Sequence, residues 1–504
     1  MRTALLFLPC VLALLVAPAF AEDEPTKEPT SVFADQALLD KHLAEACDVV
    51  EAIEGRAFES RPTIRVSTPK EVAAALVKEF AVMPESFIAA SQREALAKGL
   101  SRWLLAKYEP STNIIHVVPG VIDDIEKAQP KLEKLGIDHL RALLAHEAAH
   151  AMDFPRYDFM AVRAKLEDND AQQALNAIVE GHAQFVAEQA AKRWKIMPAF
   201  ERLTAAIIGS PDDEGTDEQK AIRAAQLSQI RFAYDQGHAF FRAVAKAGGS
   251  EAVERAMREP PTSSKMIEQP ELWLDPSKAR AAADLKPIVR SLMWLAPKKG
   301  WVGQDVRVLS AALQKQSLRL PEDRRGEWLQ GFRDAHSWQS MDPTTGARVV
   351  AVLLHFETPA DATRFVTLDK VIVENAKGQP GMSMKTIALK DGVGPEDGLP
   401  GFYMERVITY MGHDINARQV VTNHGTFALE MMVLNAPQIE RAHLDQAMVR
   451  LIAWIDDPKA AAALPALETP MPKKDEPAKD AEKKPAEEKD AEKKKELEPA
   501  GSGG

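Results

Sequence analysis

Two histidines and a glutamate in one short stretch have the types and spacing needed to bind a metal ion and to move a proton. The stretch Leu140–Asp153 reads LRALLAHEAAHAMD and contains His146, Glu147 and His150. Residues four apart lie on the same face of an α-helix, so both imidazoles can point at one cation, which is a zinc-binding geometry. Glu147 is displaced by about 100° around the helix, where it can act as general base towards a metal-bound water.

The residues around this motif favour an α-helix. Leucine, alanine and methionine dominate the stretch, and neither glycine nor proline occurs between Asp138 and Pro155. The sequence therefore predicts a helix with both histidines on one face. The alternative is a core helix whose histidines make ordinary hydrogen bonds, because this spacing also occurs by chance. A third ligand on another element is needed to decide between the two.

A second predicted helix, Ala171–Arg193, offers that ligand in Glu180. Glycine inside a helix costs about 1 kcal/mol relative to alanine, so Gly181 indicates close packing against a neighbouring helix. We take that neighbour to be the helix of His146 and His150. The Glu180 carboxylate then becomes the third ligand, and a fourth position stays open for water.

Two other residues compete for the third position. Arg156, six residues after His150, is excluded because a cationic side chain does not ligate a cation. His182 lies two residues beyond Glu180, roughly on the opposite side of the helix, so these two side chains cannot both reach one ion. We favour Glu180 as the ligand and assign His182 to packing or to a hydrogen bond that supports a ligand.

The order of these motifs resembles that of a known family. HEAAH at 146–150 followed by VEGHA at 179–183 looks like the HExxH and EGxA motifs of gluzincin-type zinc metallopeptidases, in particular exported bacterial ones. The resemblance covers roughly residues 63–274 and implies a zincin fold. It also implies one zinc ion per chain, held by His146, His150 and Glu180, with Glu147 as the base.

Weaker similarities to the same family lie further along the chain, at residues 234–240, 248–249, 260–264 and 269–271. Gluzincins often use a downstream tyrosine or histidine to steady the oxyanion, and the order of residues makes Tyr234 and His238 the candidates. The chain departs from the family where relatives commonly carry an acidic residue in place of His182, and a glutamate and a histidine in place of Lys265 and Gln269. These departures leave the zinc ligands in place and concern the substrate contacts.

A short predicted strand before the metal-binding helix suggests how a substrate is held. The stretch Asn113–Val118 is rich in β-branched residues and is bounded by turn-forming residues. An exposed strand edge binds an extended peptide by adding it to the sheet, so we assign substrate binding to Asn113, Ile115 and Val117. His116 is interpreted as a half-exposed strand histidine rather than a ligand.

The composition is that of an ordinary globular protein and argues against a nucleic-acid ligand. The chain has 504 residues, of which 45% are hydrophobic and 27% charged, and this length suggests more than one domain. The formal net charge is -11, whereas nucleic-acid binding needs basic patches that neutralise phosphates. We expect a peptide or protein substrate and no nucleic-acid partner, and the sequence sets no oligomeric state.

The N-terminus has the layout of a secretion signal. An apolar run at residues 4–16 follows a basic residue and precedes a small-residue site that ends at Ala21. Cleavage after Ala21 is expected to remove Cys10 and to leave Cys47 as a single cysteine, which cannot form an intramolecular disulfide. No later segment offers about 18 uninterrupted apolar residues. We therefore expect an exported protein, periplasmic or extracellular, without a membrane span in the mature chain.

Patterning divides the chain into five parts. Residues 301–455 combine strand patterns with helices and predict an antiparallel sheet backed by helices. From residue 456 Ala, Pro, Lys and Glu dominate, and KDAEKK recurs at 479–484 and 489–494, which is typical of a disordered tail. The predicted parts are a signal peptide (1–21), a leader (22–32), a zincin-like metallopeptidase domain (33–296), an accessory domain (301–455) and the tail (456–504).

Element predictions follow from the same patterns. Further helices are predicted over residues 33–54, 69–80, 86–107, 279–296, 359–376 and 438–455. Further strands are predicted over residues 63–66, 328–338, 347–356, 403–411, 417–422 and 426–434.

The predicted fold class is α+β: a mainly helical zincin-like domain with a small edge sheet, followed by a smaller α+β domain and a disordered tail. The predicted activity is hydrolysis of peptide bonds by a zinc-bound water that Glu147 activates. The alternative from another class is a catalytically silent zincin-like scaffold whose C-terminal α+β domain binds a cell-envelope partner. Glu147 would have no task in such a scaffold.

Overall fold

The computed structural model describes most of the chain between residues 31 and 467. The predicted signal peptide (1–21), nearly all of the predicted leader (22–32) and the tail beyond 467 lie outside the described residues. The described residues are 31–81, 93–102, 104–128, 134–166, 169–208, 231–278, 285–296, 301–308, 327–328, 330–342, 345–374, 382–394, 398–410, 413–464 and 467.

The first part of the fold, which we call the helical region, spans the described residues from 31 to 278. A π-helical turn at Phe232–Gln236 runs directly into the helix that begins at Gly237. The predicted helix over 86–107 is wrong beyond residue 100, because the chain there turns into a strand. The α-helices are α1 (Gln36–Glu54), α2 (Pro69–Ala81), α3 (Arg93–Leu100), α4 (Pro119–Ala128), α5 (Ile137–Tyr157), α6 (Phe159–Lys165), α7 (Asn169–Trp194), α8 (Met197–Ile208), α9 (Gly237–Arg258), α10 (Ser264–Glu268) and α11 (Pro270–Leu274).

Local capping residues set the ends of α1. The Asp35 carboxylate accepts hydrogen bonds from the backbone N–H groups of Ala37 and Leu38, which would otherwise have no partner at the helix start. Gly55 ends the helix at φ 67°, a left-handed conformation that favours glycine. The helix begins and ends close to the predicted bounds.

Helix α5 lies in the middle of the helical region. From His139 to Asp153 every residue except Arg141 is buried. The helix packs against α1, α7 and α8, and its leucines and alanines share one hydrophobic core with the inner faces of those helices. The motif histidines are therefore placed in an interior of low dielectric, where polar groups need partners.

A three-stranded sheet lies beside α5, with strands β1 (Thr63–Val66), β2 (Ala106–Glu109) and β3 (Ile114–Val117). Its order is β1-β3-β2, and β3 pairs parallel with β1 and antiparallel with β2. The open edge next to α5 therefore belongs to β2, which contacts that helix.

This topology corrects the predicted substrate strand. Both sides of β3 are occupied by neighbouring strands, and Ile115 and Val117 are fully buried. Asn113 lies in the turn before β3 at φ 56°, and its side-chain amide donates to the backbone carbonyls of Ser60 and Arg61. The assignment of Asn113, Ile115 and Val117 to substrate binding is wrong, because a paired central strand has no free edge.

The second part of the fold, which we call the sheet region, is built on one antiparallel sheet of seven strands. The strand order is β4-β5-β6-β10-β9-β8-β7. The two edge strands, β4 and β7, were not predicted. The strands are β4 (Val302–Val308), β5 (Phe332–Met341), β6 (Arg348–Phe356), β7 (Met382–Val393), β8 (Leu399–Tyr410), β9 (His413–His424) and β10 (Phe427–Leu434).

Helices cover both faces of this sheet. Helix α13 (Pro359–Glu374) packs on one face, and α14 (Arg441–Asp456) packs on the other. The central strands β6 and β10 are consequently buried at nearly every position, which explains their continuous apolar sequence. A short helix α15 (Pro458–Ala462) follows, in a stretch assigned to the disordered tail. An α+β fold with a helix-backed antiparallel sheet is thus confirmed.

The segment before the sheet packs with it rather than with the helical region. The predicted helix over 279–296 is present only as short pieces, α12 (Lys286–Arg290) and a 3-10 turn at Met293–Leu295, and residues 279–284 lie outside the described residues. Buried side chains of residues 285–296 share one core with α14. Within the described residues, no helix is both long and apolar enough to cross a membrane.

A buried pair of carboxyl groups in the sheet region predicts how stability depends on pH. Asp369 of α13 and Glu430 of β10 are only 2% and 3% exposed. Burial raises the pKa of Asp369 to about 7, and burial together with the Asp369 charge raises the pKa of Glu430 well above its usual value. The folded protein therefore binds protons that the unfolded chain, with an Asp pKa near 3.9, has already released.

We expect the free energy of unfolding to fall as pH rises from about 4 to 7, by up to about 1.4 kcal/mol per pH unit for one such proton. The Asp369→Asn variant should lose the share of this slope that Asp369 contributes, should keep the share of Glu430, and should be more stable than the parent at pH 8. Denaturant titrations at several pH values measure both effects. The control is Asp391→Asn, whose carboxylate is 79% exposed; a slope in Asp369→Asn as steep as in the parent would contradict the assignment.

Candidate metal centre

Helix α5 supplies two of the candidate ligands. His146 and His150 lie one turn apart, are 6% and 7% exposed, and face each other through their Nε2 atoms at 3.1 Å. Two ring nitrogens so close need a shared cation or proton between them, because two lone pairs repel. The predicted helix and the predicted common face of the two histidines are both present.

Glu180 of α7 completes the group. Its Oε2 lies 3.3 Å from His146 Nε2 and 3.5 Å from His150 Nε2. Ligands bonded at about 2.0–2.1 Å to an ion in a regular tetrahedron lie about 3.3–3.4 Å apart. The three distances match that spacing, so these residues form a group that could hold one metal ion.

Glu180 and the two histidines each stabilise the charged form of the other. Burial disfavours an ionised Glu180, but the two histidines outweigh it and the pKa of Glu180 lies well below its usual value. The pKa of His150 is raised, because the Glu180 charge outweighs the effect of burial. Glu180 is thus present as the carboxylate, which is the form that ligates a cation.

Glu147 is held by the backbone of the edge strand. Its Oε2 accepts a hydrogen bond of 2.7 Å from the N–H of Tyr108 in β2, and the residue is 6% exposed. The Leu105 carbonyl accepts a hydrogen bond from Val118 at the end of β3, so the backbone of Leu105 faces β3. Because successive residues of a strand face opposite sides, Tyr108, three residues later, directs its N–H away from β3. One carboxylate oxygen is fixed, and the other is left for a proton.

Tyr234 joins the site from the π-helical turn. Its ring stacks on that of His146, with centroids 5.5 Å apart and an interplanar angle of 8°. Burial, together with the charges of Glu180 and Glu147, raises the pKa of Tyr234 well above its usual value. The hydroxyl therefore keeps its proton and can donate a hydrogen bond. Of the two sequence candidates for this role, the structure brings Tyr234 to the ligands.

His238 lies apart from the ligands. Its Nε2 is 3.1 Å from Glu188 Oε2, and the same carboxylate is paired with Arg242. The ring also packs against Phe200 at a centroid distance of 6.2 Å. Because its imidazole is engaged by Glu188, a role of His238 at the reacting atoms is not supported by its position.

Two glycines allow α7 and α9 to touch. A Cβ on Gly181 would lie 2.3 Å from the carbonyl carbon of Gly237, and a Cβ on Gly237 would lie 2.1 Å from the Ala177 carbonyl oxygen. Gly181 thus marks close packing, as the sequence indicates. The partner is the start of α9 and not the helix of His146, so that part of the prediction is wrong.

His182 takes part in a separate charged cluster. Its Nδ1 lies 2.6 Å from Asp153 Oδ2 and its Nε2 lies 3.5 Å from Glu54 Oε1. Arg56 lies 3.0 Å from Glu54 and 3.4 Å from Asp153. Although burial opposes it, the two carboxylates raise the pKa of His182 to about 10. Two cations thus face these two carboxylates, and Arg56 also lies 3.0 Å from Glu254.

Glu54, Asp153 and His182 also lie close enough together to form a second possible metal group. An ion there would have to displace Arg56 or the His182 proton, so the cluster is better described as an ion-pair network. It connects α1, α5 and α7. His182 therefore lies in this network, which fixes the ligand-bearing helices to each other, and its hydrogen bond goes to Asp153 rather than to one of the three candidate ligands.

A pocket lined mainly by apolar side chains, which we call the apolar pocket, opens beside Glu147 and His146. Its polar end carries Gln184, whose amide donates to Thr204 Oγ1 at 2.6 Å. Gln184 lies one turn after Glu180 on α7, and this spacing was the available signal for it. The contribution of α8 could not be read from local patterns. The pocket is lined by Leu104, Leu105, Ala106, Ala142, Leu143, His146, Glu147, Gln184, Phe200, Leu203, Thr204 and Tyr234.

Comparisons with known proteins add little to this geometry. No protein-family model and no curated protein matches the chain. Among solved structures, a "putative hydrolase with a novel fold" from Chloroflexus aurantiacus is similar at 20% identity and TM-score 0.37, over 51% of this chain and 93% of that chain. The extracellular domain of PknH from Mycobacterium tuberculosis is similar at 10% identity and TM-score 0.24, over 34% of this chain and 91% of that chain. At these TM-scores neither similarity indicates a function.

The ligand geometry predicts metal binding. We expect the purified protein to bind about one divalent ion per chain. His150→Asn and Glu180→Gln should each weaken metal affinity by more than about tenfold, because two remaining ligands hold an ion poorly. Elemental analysis after dialysis against metal buffers measures this. His238→Asn is the matched control and should keep its metal; normal metal content in His150→Asn would rule out the proposed ligand set.

The glycine contact predicts a stability effect. Gly181→Ala places a methyl group against the backbone of Gly237, which cannot move aside cheaply, so we expect a loss of about 1–3 kcal/mol in the free energy of unfolding. Gly120→Ala in α4 is the control, because a Cβ there meets nothing within 4 Å. Chemical denaturation of the metal-free proteins measures both, and equal stability of the two variants would contradict the close contact.

Proposed function

We propose that this chain is an exported zinc-dependent peptidase of the gluzincin type. The proposal depends on the ligand triangle, in which His146 Nε2, His150 Nε2 and Glu180 Oε2 lie 3.1, 3.3 and 3.5 Å from one another. Two imidazoles and one carboxylate are the donor set of catalytic zinc sites in several peptidases, whereas structural zinc sites are usually closed and rich in cysteine.

In this proposal His146, His150 and Glu180 hold a single zinc ion. When bound, zinc supplies an acidified water and a polarised scissile carbonyl near neutral pH. The low exposure of the two histidines keeps bulk water away from the group and strengthens its electrostatic interactions. The cluster of His182 and Asp153 keeps α5 and α7 at the distance that the three ligands require.

Glu147 is the proton carrier. The hydrogen bond from the Tyr108 N–H fixes one carboxylate oxygen, so the other can accept a proton from the attacking water and return it to the leaving amine. Tyr234 stabilises the negative charge that develops on the substrate. Its neutral hydroxyl can donate to the oxygen of the scissile carbonyl as negative charge develops there.

The substrate lies along β2. Ala106 has its backbone N–H and carbonyl on the open edge, where an extended peptide can pair as an additional antiparallel strand. The Tyr108 N–H and carbonyl on the same edge are already bonded to Glu147 and Lys107. Ala106 also lines the apolar pocket. A peptide bonded to this edge would therefore place one side chain in the pocket and its backbone beside Glu147.

Export is part of the proposal and derives from the N-terminal sequence pattern. Cys47, the single cysteine expected after cleavage at Ala21, is free and buried, and burial raises the pKa of its thiol to about 12. An un-ionised thiol reacts slowly, so it is compatible with an oxidising compartment. The rival scaffold, whose sheet region binds an envelope partner, gives no reason for the fixed orientation of Glu147.

Replacing the base tests the activity. Glu147→Gln should lower hydrolysis of a mixed peptide library by about a hundredfold to ten-thousandfold, because general acid–base catalysis contributes about 10²–10⁴-fold and the Gln amide cannot accept the proton. Metal content should stay at about one ion per chain. Product formation with and without a chelator, followed by mass spectrometry, provides the measurement.

The control for this experiment is Glu251→Gln, an exposed glutamate on α9. It should hydrolyse the library at the parental rate. Undiminished turnover by Glu147→Gln would remove the general-base role, and zinc binding without cleavage of any peptide by the parent would favour the scaffold.

A further inference from the structure

Two cations lie next to the candidate metal centre and are not used by the mechanism above. Lys107 of β2 is 20% exposed, and its Nζ lies 2.8 Å from Glu79 Oε1 and donates at 2.7 Å to the Tyr108 carbonyl. Its charge acts on Glu147 and Glu180. Since the Tyr108 backbone faces the open edge of β2, the Lys107 ammonium lies at that edge.

Arg163 of α6 is the second cation. Its Nη2 donates at 2.7 Å to the side-chain oxygen of Asn176 on α7. The guanidinium also acts electrostatically on Glu79 and Glu180. Its Nε is buried and has no hydrogen-bond partner among the described residues. A guanidinium can donate five hydrogen bonds, so donor capacity remains for a further acceptor.

Both cations lie on the side of the centre that faces away from the apolar pocket. Along α7, Asn176, Glu180 and Gln184 follow one another at intervals of four residues and share a face. Gln184 lines the pocket, whereas Asn176, one turn on the other side of the ligand, holds Arg163. Along β2, Ala106 lines the pocket and Lys107 comes next.

The charge at this place is unbalanced. Glu79 is the single carboxylate that both cations share, apart from the residues of the centre itself. Glu180 also acts on both cations, and Glu147 acts on Lys107, but these two carboxylates are assigned to the ligand set and to the base. Outside the centre, two cations therefore meet one carboxylate. Partly buried cations without a full set of anions favour an anionic ligand, because desolvation makes their attraction to it strong.

We propose that the substrate site along β2 selects peptides with an acidic side chain on the N-terminal side of the cleaved bond. Lys107 and Arg163 would bind the carboxylate of that side chain. This inference depends on the proposed function. A peptide antiparallel to β2 runs with its C-terminal part towards Leu104 and Ala106, and its N-terminal part passes Lys107. The apolar pocket then receives a residue on the C-terminal side of the bond.

The experiment uses three quenched fluorescent peptides that differ at one position only. That position directly precedes an apolar residue and carries Glu, Gln or Lys. For the zinc-loaded protein we expect kcat/KM to be about tenfold higher for the Glu peptide than for the Gln peptide. The Glu147→Gln protein provides a readout without turnover. Fluorescence anisotropy should show about tenfold tighter binding of the Glu peptide, with and without zinc.

The variants assign the effect to the two cations. Lys107→Met and Arg163→Met should each reduce the preference for Glu over Gln to within about threefold, and the double variant should abolish it. Lys107→Arg keeps the charge and should keep the preference. The control is Lys127→Met, whose ammonium is 75% exposed on α4 and which should behave like the parent. Circular dichroism and metal content check that each variant is folded.

The outcomes separate this inference from the proposed function. Equal cleavage of the Glu and Gln peptides, or an acidic preference on the other side of the bond, overturns the charge selection while peptidase activity stands. A preference that persists in the double variant overturns the assignment to Lys107 and Arg163. If no peptide is cleaved, the proposed function fails, and the binding measurement then tests the inference. Equal affinities for the Glu and Gln peptides overturn the inference, and tighter binding of the Glu peptide supports it.

Discussion

The close approach of two helix backbones at Gly181 and Gly237 fixes the geometry on which the candidate centre depends. Glu180 precedes one glycine, and Tyr234 lies three residues before the other. Because no side chain separates the backbones there, the carboxylate and the phenol reach the same two histidines of α5 from neighbouring elements. A larger residue at either position would move one of these groups relative to the other.

The protein buries charge in three different ways. In the helical region, Glu54 and Asp153 are neutralised by Arg56 and a protonated His182, so all members stay ionised. In the sheet region, burial raises the pKa of Asp369 and no cation among the described residues offsets this effect, so Asp369 retains a proton instead. At the ligand triangle, two imidazoles and the Glu180 carboxylate face one another, and a metal ion bound between them would supply the opposite charge. Each solution meets the same demand, that a charge leaving water needs an opposite charge or a proton.

Local sequence patterns were sufficient for the ligand-bearing elements. The spacing of His146 and His150, the periodicity of α7 and the unusual glycine at 181 are all properties of a few consecutive residues, and these predictions hold in the structure. The identity of the helix packed against Gly181 was not predictable in this way. Its partner is Gly237, more than fifty residues away, and helix–helix contacts of that kind leave no periodic signal.

The sheets show the same division. Central strands such as β6 and β10 are mostly apolar and are predicted from the sequence, whereas the edge strands β4 and β7 are not. In β7 the alternation that begins at Met382 and Met384 is interrupted by a register shift between Thr386 and Ala388, so the sequence lacks one continuous period of two. The strand order β1-β3-β2 could not be predicted for a related reason, because strand order is set by pairing between segments that are distant in the sequence. The open edge was therefore assigned to β3 instead of β2, and with it the residues expected to bind substrate.

The π-helical turn at Phe232–Gln236 has a consequence for how this site can vary. Such a turn accommodates one residue more than an α-helical turn does, at the cost of poorer hydrogen bonding. Removing one residue would restore an ordinary helix and rotate the segment before the deletion by about 100° relative to α9. The Tyr234 ring would then leave His146, while the three ligands, which belong to other helices, would stay in place. A single-codon insertion or deletion in this turn could thus separate metal binding from carbonyl recognition within the same fold.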